Sequence, residues 1–177
     1  VEWLERRLTK KSLMNYSTFV SSFKMQVAGL SVDRSLDFAQ RIGHELLSGY
    51  RTFFQIHQWG DPAVLAASLA LAERPNGDSV DQTELTEMLV KLEAVTPHMD
   101  DFGDFLGSYA LNACAVIYYL LQFLMDCKPE HIYNVGIAYT DTVYFKLAEQ
   151  NEDLTDEELA QHPEMRQAWS RVLEETQ

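Results

Sequence analysis

Between Asp104 and Asp126 lies the most apolar stretch of the chain, the sixteen residues Ala110 to Met125, broken by Asn112 and Gln122. Sixteen residues fall short of the roughly 20 that a membrane-spanning helix needs. A helix that is apolar nearly all round belongs instead at the centre of a fold. The sequence therefore predicts a buried central helix near 104–126, with Ala113, Val116, Ile117, Leu120, Leu121 and Leu124 in the core. The rest of the chain must cover it.

Helical punctuation recurs on both sides of that stretch. Asp61-Pro62 pairs a capping residue with proline at the first helical position, where the missing N–H costs nothing. The run Ala63 to Ala72 follows, and Arg74-Pro75-Asn76-Gly77-Asp78 ends it as a turn. Ser79 or Asp81 caps the next segment, where Leu85, Met88, Leu89, Leu92 and Val95 recur at helical spacing until Thr96-Pro97. Asp100, Asp101 or Asp104 opens the central helix, and Lys128-Pro129 closes it. Ile132, Val135, Tyr139, Val143 and Leu147 mark a helix after Pro129. Met165, Trp169 and Val172 mark another after Pro163.

Thr155-Asp156-Glu157-Glu158 reads as a capping box, in which hydroxyl and carboxylate satisfy each other's backbone N–H groups. Upstream, Ala39, Ile42, Leu46, Tyr50, Phe53 and His57 mark a long helix from about Val32 to Gln58. Trp3, Leu4, Leu8, Leu13, Phe19, Val20 and Phe23 give a helical pattern to the first segment. Alternating strand patterns are few. The prediction is one all-α domain over 1–177, a bundle of seven or eight helices. Residues 1–30 form its basic N-terminal helical segment, of open attachment.

Charge narrows the function. Lys and Arg number 14 against 27 Asp and Glu, a net charge of −13. Phosphate backbones and anionic lipid repel such a surface, which argues against nucleic-acid and membrane partners. Val1 to Leu30 holds five of the cations and two of the acids, leaving −16 on the body. Val1 to Gly29 lacks the continuous apolar run of a signal peptide. Cys114 and Cys127 would stand about 20 Å apart along one helix, beyond disulfide reach. Unpaired thiols suit a reducing compartment, so a cytoplasmic protein is expected.

Known catalytic patterns are absent: no phosphate-binding glycine loop, dinucleotide fingerprint, zinc HExxH or Cys-x-x-Cys pair, and no nucleophile elbow. No catalytic or cofactor-binding residue is identified, and no cofactor is expected. The strongest local cluster is His98, Asp100, Asp101 and Asp104, whose imidazole and carboxylates would suit a divalent metal. The competing reading makes the aspartates helix-start caps and leaves His98 in solvent. That reading predicts no tight metal site. His44 and His57, thirteen residues apart on one helix, point to nearly opposite sides. His57 is expected to meet Asp61 at the helix end.

Six of the eight tyrosines, Tyr109, Tyr118, Tyr119, Tyr133, Tyr139 and Tyr144, fall in the two helices around Lys128-Pro129. So short a connection makes those helices antiparallel neighbours. With Trp169, the phenols would line an aromatic pocket or a subunit interface, or else reach the rim of a hairpin core.

Several segments together resemble the bacterial domain-of-unknown-function family 416. They are Asp100-Asp101-Phe102, Asn112-Ala113-Cys114, and Leu154-Thr155-Asp156-Glu157-Glu158-Leu159 with Pro163 and Trp169 following. Phe38, Tyr50, Phe53 and Gly60-Asp61 fall at similar spacings. The resemblance covers about 30–169 and implies an all-helical cytoplasmic bacterial protein. The family has no established activity, so it transfers no site residue. Val1 to Gly29 departs from the pattern, Asn112 stands where an aspartate is common, and relatives continue beyond Trp169.

The leading functional reading is a non-enzymatic module that binds itself, as a homodimer, or an unidentified protein. Self-pairing is expected through Trp169, Val172 and Leu173 on the final helix, since two-fold pairing is the commonest closure. A metal-dependent enzyme or metal-binding protein centred on His98 and its aspartates is the alternative. An acidic mimic of nucleic acid is a weaker third.

Overall fold

In the computed structural model, residues 14–74, 80–98 and 101–177 are described. Among them are eight helices and no strand: α1 (Tyr16–Val27), α2 (Val32–His57), α3 (Pro62–Ala72), α4 (Gln82–Ala94), α5 (Phe105–Asp126), α6 (Pro129–Gln150), α7 (Asp156–Ala160) and α8 (Pro163–Glu175). Each start has a local cause. The side chains of Asn15, Ser31, Asp61, Asp81 and Asp104 accept first-turn N–H groups of α1 to α5. Of the candidate caps in the sequence, Asp81 and Asp104 are the ones used. Pro129 and Pro163 open α6 and α8 at positions that need no donor. Both arms of the Thr155–Glu158 capping box are present at α7.

α5 is the centre. It packs along α2 on one side and α6 on another, with α3 and α4 also against it. Ala113, Val116, Ile117, Leu120 and Leu121 are buried, whereas Leu124, one turn from the exposed end at Asp126 and Cys127, is only half-buried. The helix spans 22 residues, Phe105–Asp126, close to the 104–126 expected from the sequence. By length and composition it alone among the described residues is long and apolar enough to cross a membrane. Here its apolar surface is spent on four other helices.

The α5–α6 pair is antiparallel. Tyr109 bonds to Glu149, Asn112 to Thr142, and Tyr119 stacks on His131, so the partners approach the Cys127-Lys128 connection from both sides. α1 lies over α6 and α8 and buries Phe19, Phe23 and Val27. Gly136 makes that approach feasible, because a Cβ there would stand 2.3 Å from Phe23 Cζ. The part of the N-terminal segment after residue 13 is thus packed on the body. Trp3, Leu4, Leu8 and Leu13 lie outside the described residues.

The C-terminal helix departs from expectation. Trp169, Val172 and Leu173 are buried within the chain, and Trp169 stacks on Phe19 with ring centroids 5.7 Å apart. The face expected to await a second copy is already covered by α1 and α6. Arg171 locks it there, donating to both oxygens of Glu45 on α2, to the Tyr139 hydroxyl on α6 and to Glu175.

Candidate functional site

The histidine–aspartate stretch is built into joints between helices. Asp104 Oδ1 accepts from the N–H groups of Leu106 at 3.0 Å and Gly107 at 3.4 Å, and Oδ2 lies 3.0 Å from His57 Nε2. His98 and Asp101 are exposed, and the Asp101 N–H donates to the His98 carbonyl. Asp100 lies outside the described residues. Among those described, no three metal-ligating side chains gather.

His57 therefore meets Asp104 and not Asp61. The Asp61 carboxylate is taken by the Ala63 N–H at 2.9 Å. The chain between turns away through left-handed backbone at Gln58 and Gly60. Phe102 closes the joint with edge contacts to Phe53, His57 and Trp59. His44 pairs with Glu73 on the far side of the molecule's longest helix, as its azimuth required. His131 Nε2 approaches Asp126 Oδ1 to 3.0 Å but at poor hydrogen-bonding geometry.

The tyrosines do not converge on one pocket. Tyr109, buried, donates to Glu149 at 2.6 Å; burial and that carboxylate raise its phenol pKa. Tyr133 lies beneath Lys24, Tyr139 beneath Arg171, and Tyr144 donates to Asp156 at 2.6 Å. Trp169 is in the core. Tyr109, Tyr139 and Tyr144 each give the hydroxyl a separate local partner, on Glu149, Arg171 and Asp156.

Of these tyrosines, Tyr118 and Tyr119 stand together on one cavity wall. They line a groove of about 500 Å³ between α4 and α5. Leu92, Leu111, Cys114 and Ala115 line it with Leu89 and Val90, and Thr86, Glu93, Thr96 and Gln122 supply its polar groups. Val90 is 62% exposed and Tyr118 44%. Gln122 donates to the Tyr118 hydroxyl at 3.2 Å, which steadies the ring. Burial pushes the Cys114 thiol up to about 12, so it is an inert wall group, not a nucleophile.

The groove exists because α4 buries only Leu85 and Leu92 fully, so the helix meets α5 along a narrow edge. Sequence reasoning named Tyr118 and Tyr119 for an aromatic pocket but missed the α4 wall of this groove. The signal was Val90, an apolar residue off the buried stripe of α4 and facing the same opening as Tyr118 on α5.

The sequence profile of a family described as "Protein of unknown function (DUF416)" matches residues 22–174. The match begins within α1, earlier than the departure read at Val1 to Gly29. In structure, the chain is similar to a DUF416 family protein from Shewanella baltica OS155, with a TM-score of 0.73 and 25% identity. That likeness covers 86% of this chain and 82% of the other. Comparison with curated proteins finds no match.

Proposed function

This chain belongs to the DUF416 family, whose function is unknown, and we propose that it is a non-enzymatic binding module working through the α4–α5 groove. The observation behind this reading is an apolar trough of about 500 Å³ flanked by two solvent-exposed apolar side chains, Val90 and Tyr118. Scattered exposed apolar residues need no explanation, but a contiguous concave set marks an interaction site. The occupant is an amphipathic helix of a protein partner, laid along α4 and α5 with apolar anchors in the trough. Its flanks carry Lys or Arg. Glu93 on the groove and the net charge of −13 attract a cationic helix and repel a second copy of this chain. The two free thiols, Cys114 buried and Cys127 exposed, suit a reducing cytoplasmic setting for that encounter. The metal-dependent alternative draws no support from the His57–Asp104 joint, whose carboxylate is committed to the start of α5.

A synthetic Leu/Lys amphipathic helix, fluorescently labelled, is the probe. Fluorescence anisotropy should give saturable binding that weakens at least about tenfold in the Val90→Glu, Tyr118→Ala variant. Val90→Glu adds a negative charge, so purely electrostatic attraction would tighten instead, and that outcome contradicts the groove reading. Sedimentation velocity at micromolar protein should show a monomer. A dimer abolished by the same two changes would replace the foreign partner with a second copy.

A further inference from the structure

Where α1 begins, α7 and α8 enclose a second cavity of about 570 Å³ that shares no lining residue with the α4–α5 groove. Its walls include Tyr16, Ala160 and the ring of Trp169, with Ser17, Glu157 and Arg166 among its polar residues. Trp169 is 2% exposed, and its indole N–H is buried with no acceptor. The Nε of Arg166 is buried and equally without one. The two residues stand three apart on α8, hence on one face of it.

The start of α1 adds donors. Asn15 serves the Thr18 N–H with its side chain and the Phe19 N–H with its carbonyl. The N–H groups of Tyr16 and Ser17 precede the first helical bond and have no partner inside the helix. Buried donors without acceptors are costly, and native folds satisfy nearly all of them. The two buried groups of these lining residues that lack a partner, Arg166 Nε and Trp169 Nε1, are both donors and so are complementary to a ligand group that accepts.

We propose that this cavity binds a small amphipathic monocarboxylate. Its oxygens accept from Arg166 Nε and Trp169 Nε1, near the positive end of α1. Its apolar body lies against Tyr16, Ala160 and the indole. Glu157 on the same wall opposes a second negative charge, which is why one carboxylate is specified. The volume falls within the range of small-molecule sites.

Decanoate is the probe and decanol its neutral control, titrated into the full chain. The readout is the ¹⁵N–¹H resonance of the Trp169 indole, assigned by its loss in Trp169→Phe. Decanoate should move that resonance downfield to saturation, and decanol should bind at least about tenfold more weakly. Arg166→Gln should remove the preference for decanoate over decanol, and Glu157→Gln should tighten decanoate. The wild-type titration stands even if a variant fails to fold. An indole resonance that decanoate leaves in place, or that responds alike to decanoate and decanol, overturns the proposal. So does an Arg166→Gln variant that folds and keeps the preference.

Discussion

One hydroxyl, that of Tyr50, joins three parts of the molecule. It donates to the Val95 carbonyl at 2.6 Å and accepts from the Asp61 N–H at 3.3 Å, so α2 is tied to the end of α4 and the start of α3. Gly60 makes room for it. Its φ is +86°, and a Cβ there would lie 2.2 Å from the hydroxyl, so no larger residue fits. Tyr50→Phe should cost about 0.5–1.5 kcal/mol in urea unfolding, because two part-buried backbone groups lose the hydroxyl they share. A loss near zero would mean the hydroxyl is idle. Burial raises the Tyr50 phenol to about 12, and the bond to Asp156 raises Tyr144 to about 12 as well. Both hold their protons in the fold above the ordinary 10 of an unfolded chain. Their contribution is therefore complete below pH 10 and fades as pH rises towards 12. The urea midpoint should stay level up to about pH 9, where the buried Cys114 thiol begins to count, and fall further above pH 10, less steeply in Tyr144→Phe. The spacing of Tyr50 and Gly60-Asp61 was visible in the sequence. The joint they make was not, because the third partner, the Val95 carbonyl, lies 45 residues from Tyr50 in the chain.

At the level of elements, the helices were legible because their signals are local. Proline at a first turn, an aspartate or hydroxyl before it, and a helical apolar period all act within a few residues. The Thr155–Glu158 box is such a case. Glu158 N donates to Thr155 Oγ1 at 3.3 Å and Thr155 N to Glu158 Oε2 at 2.9 Å. Thr155→Ala should destabilise by about 0.5–2 kcal/mol, read by chemical denaturation, and Thr155→Ser should restore most of it. Leu120, fully buried on α5, is the sharper probe of the centre. Leu120→Ala should cost about 2–5 kcal/mol; a loss under about 0.5 kcal/mol would place α5 at the periphery. Pairings between elements were less legible. His57 finds Asp104, 47 residues on, in preference to the nearby Asp61. Capping at α3 had already claimed Asp61.

For the whole molecule, composition and periodicity foretold an all-helical body around α5, because one long apolar helix leaves few ways to hide it. They misplaced the open surface. Trp169, Val172 and Leu173 looked unpartnered in sequence, yet α1 and α6 cover them, a long-range docking that no local pattern encodes. An open apolar surface lies instead along the narrow seam of α4 on α5, signalled by Val90 and Tyr118 standing off their helices' buried stripes. Seating of a cationic amphipathic helix in that groove is tested most directly by methyl-resolved NMR with the Leu/Lys peptide. The Leu89, Val90, Leu92 and Leu111 methyl resonances should shift together on titration, while those of Leu147 and Val172, in the α6–α8 region, stay fixed. Shifts spread evenly over the acidic surface, or centred on any other face with Val90 and Leu111 unmoved, would contradict it.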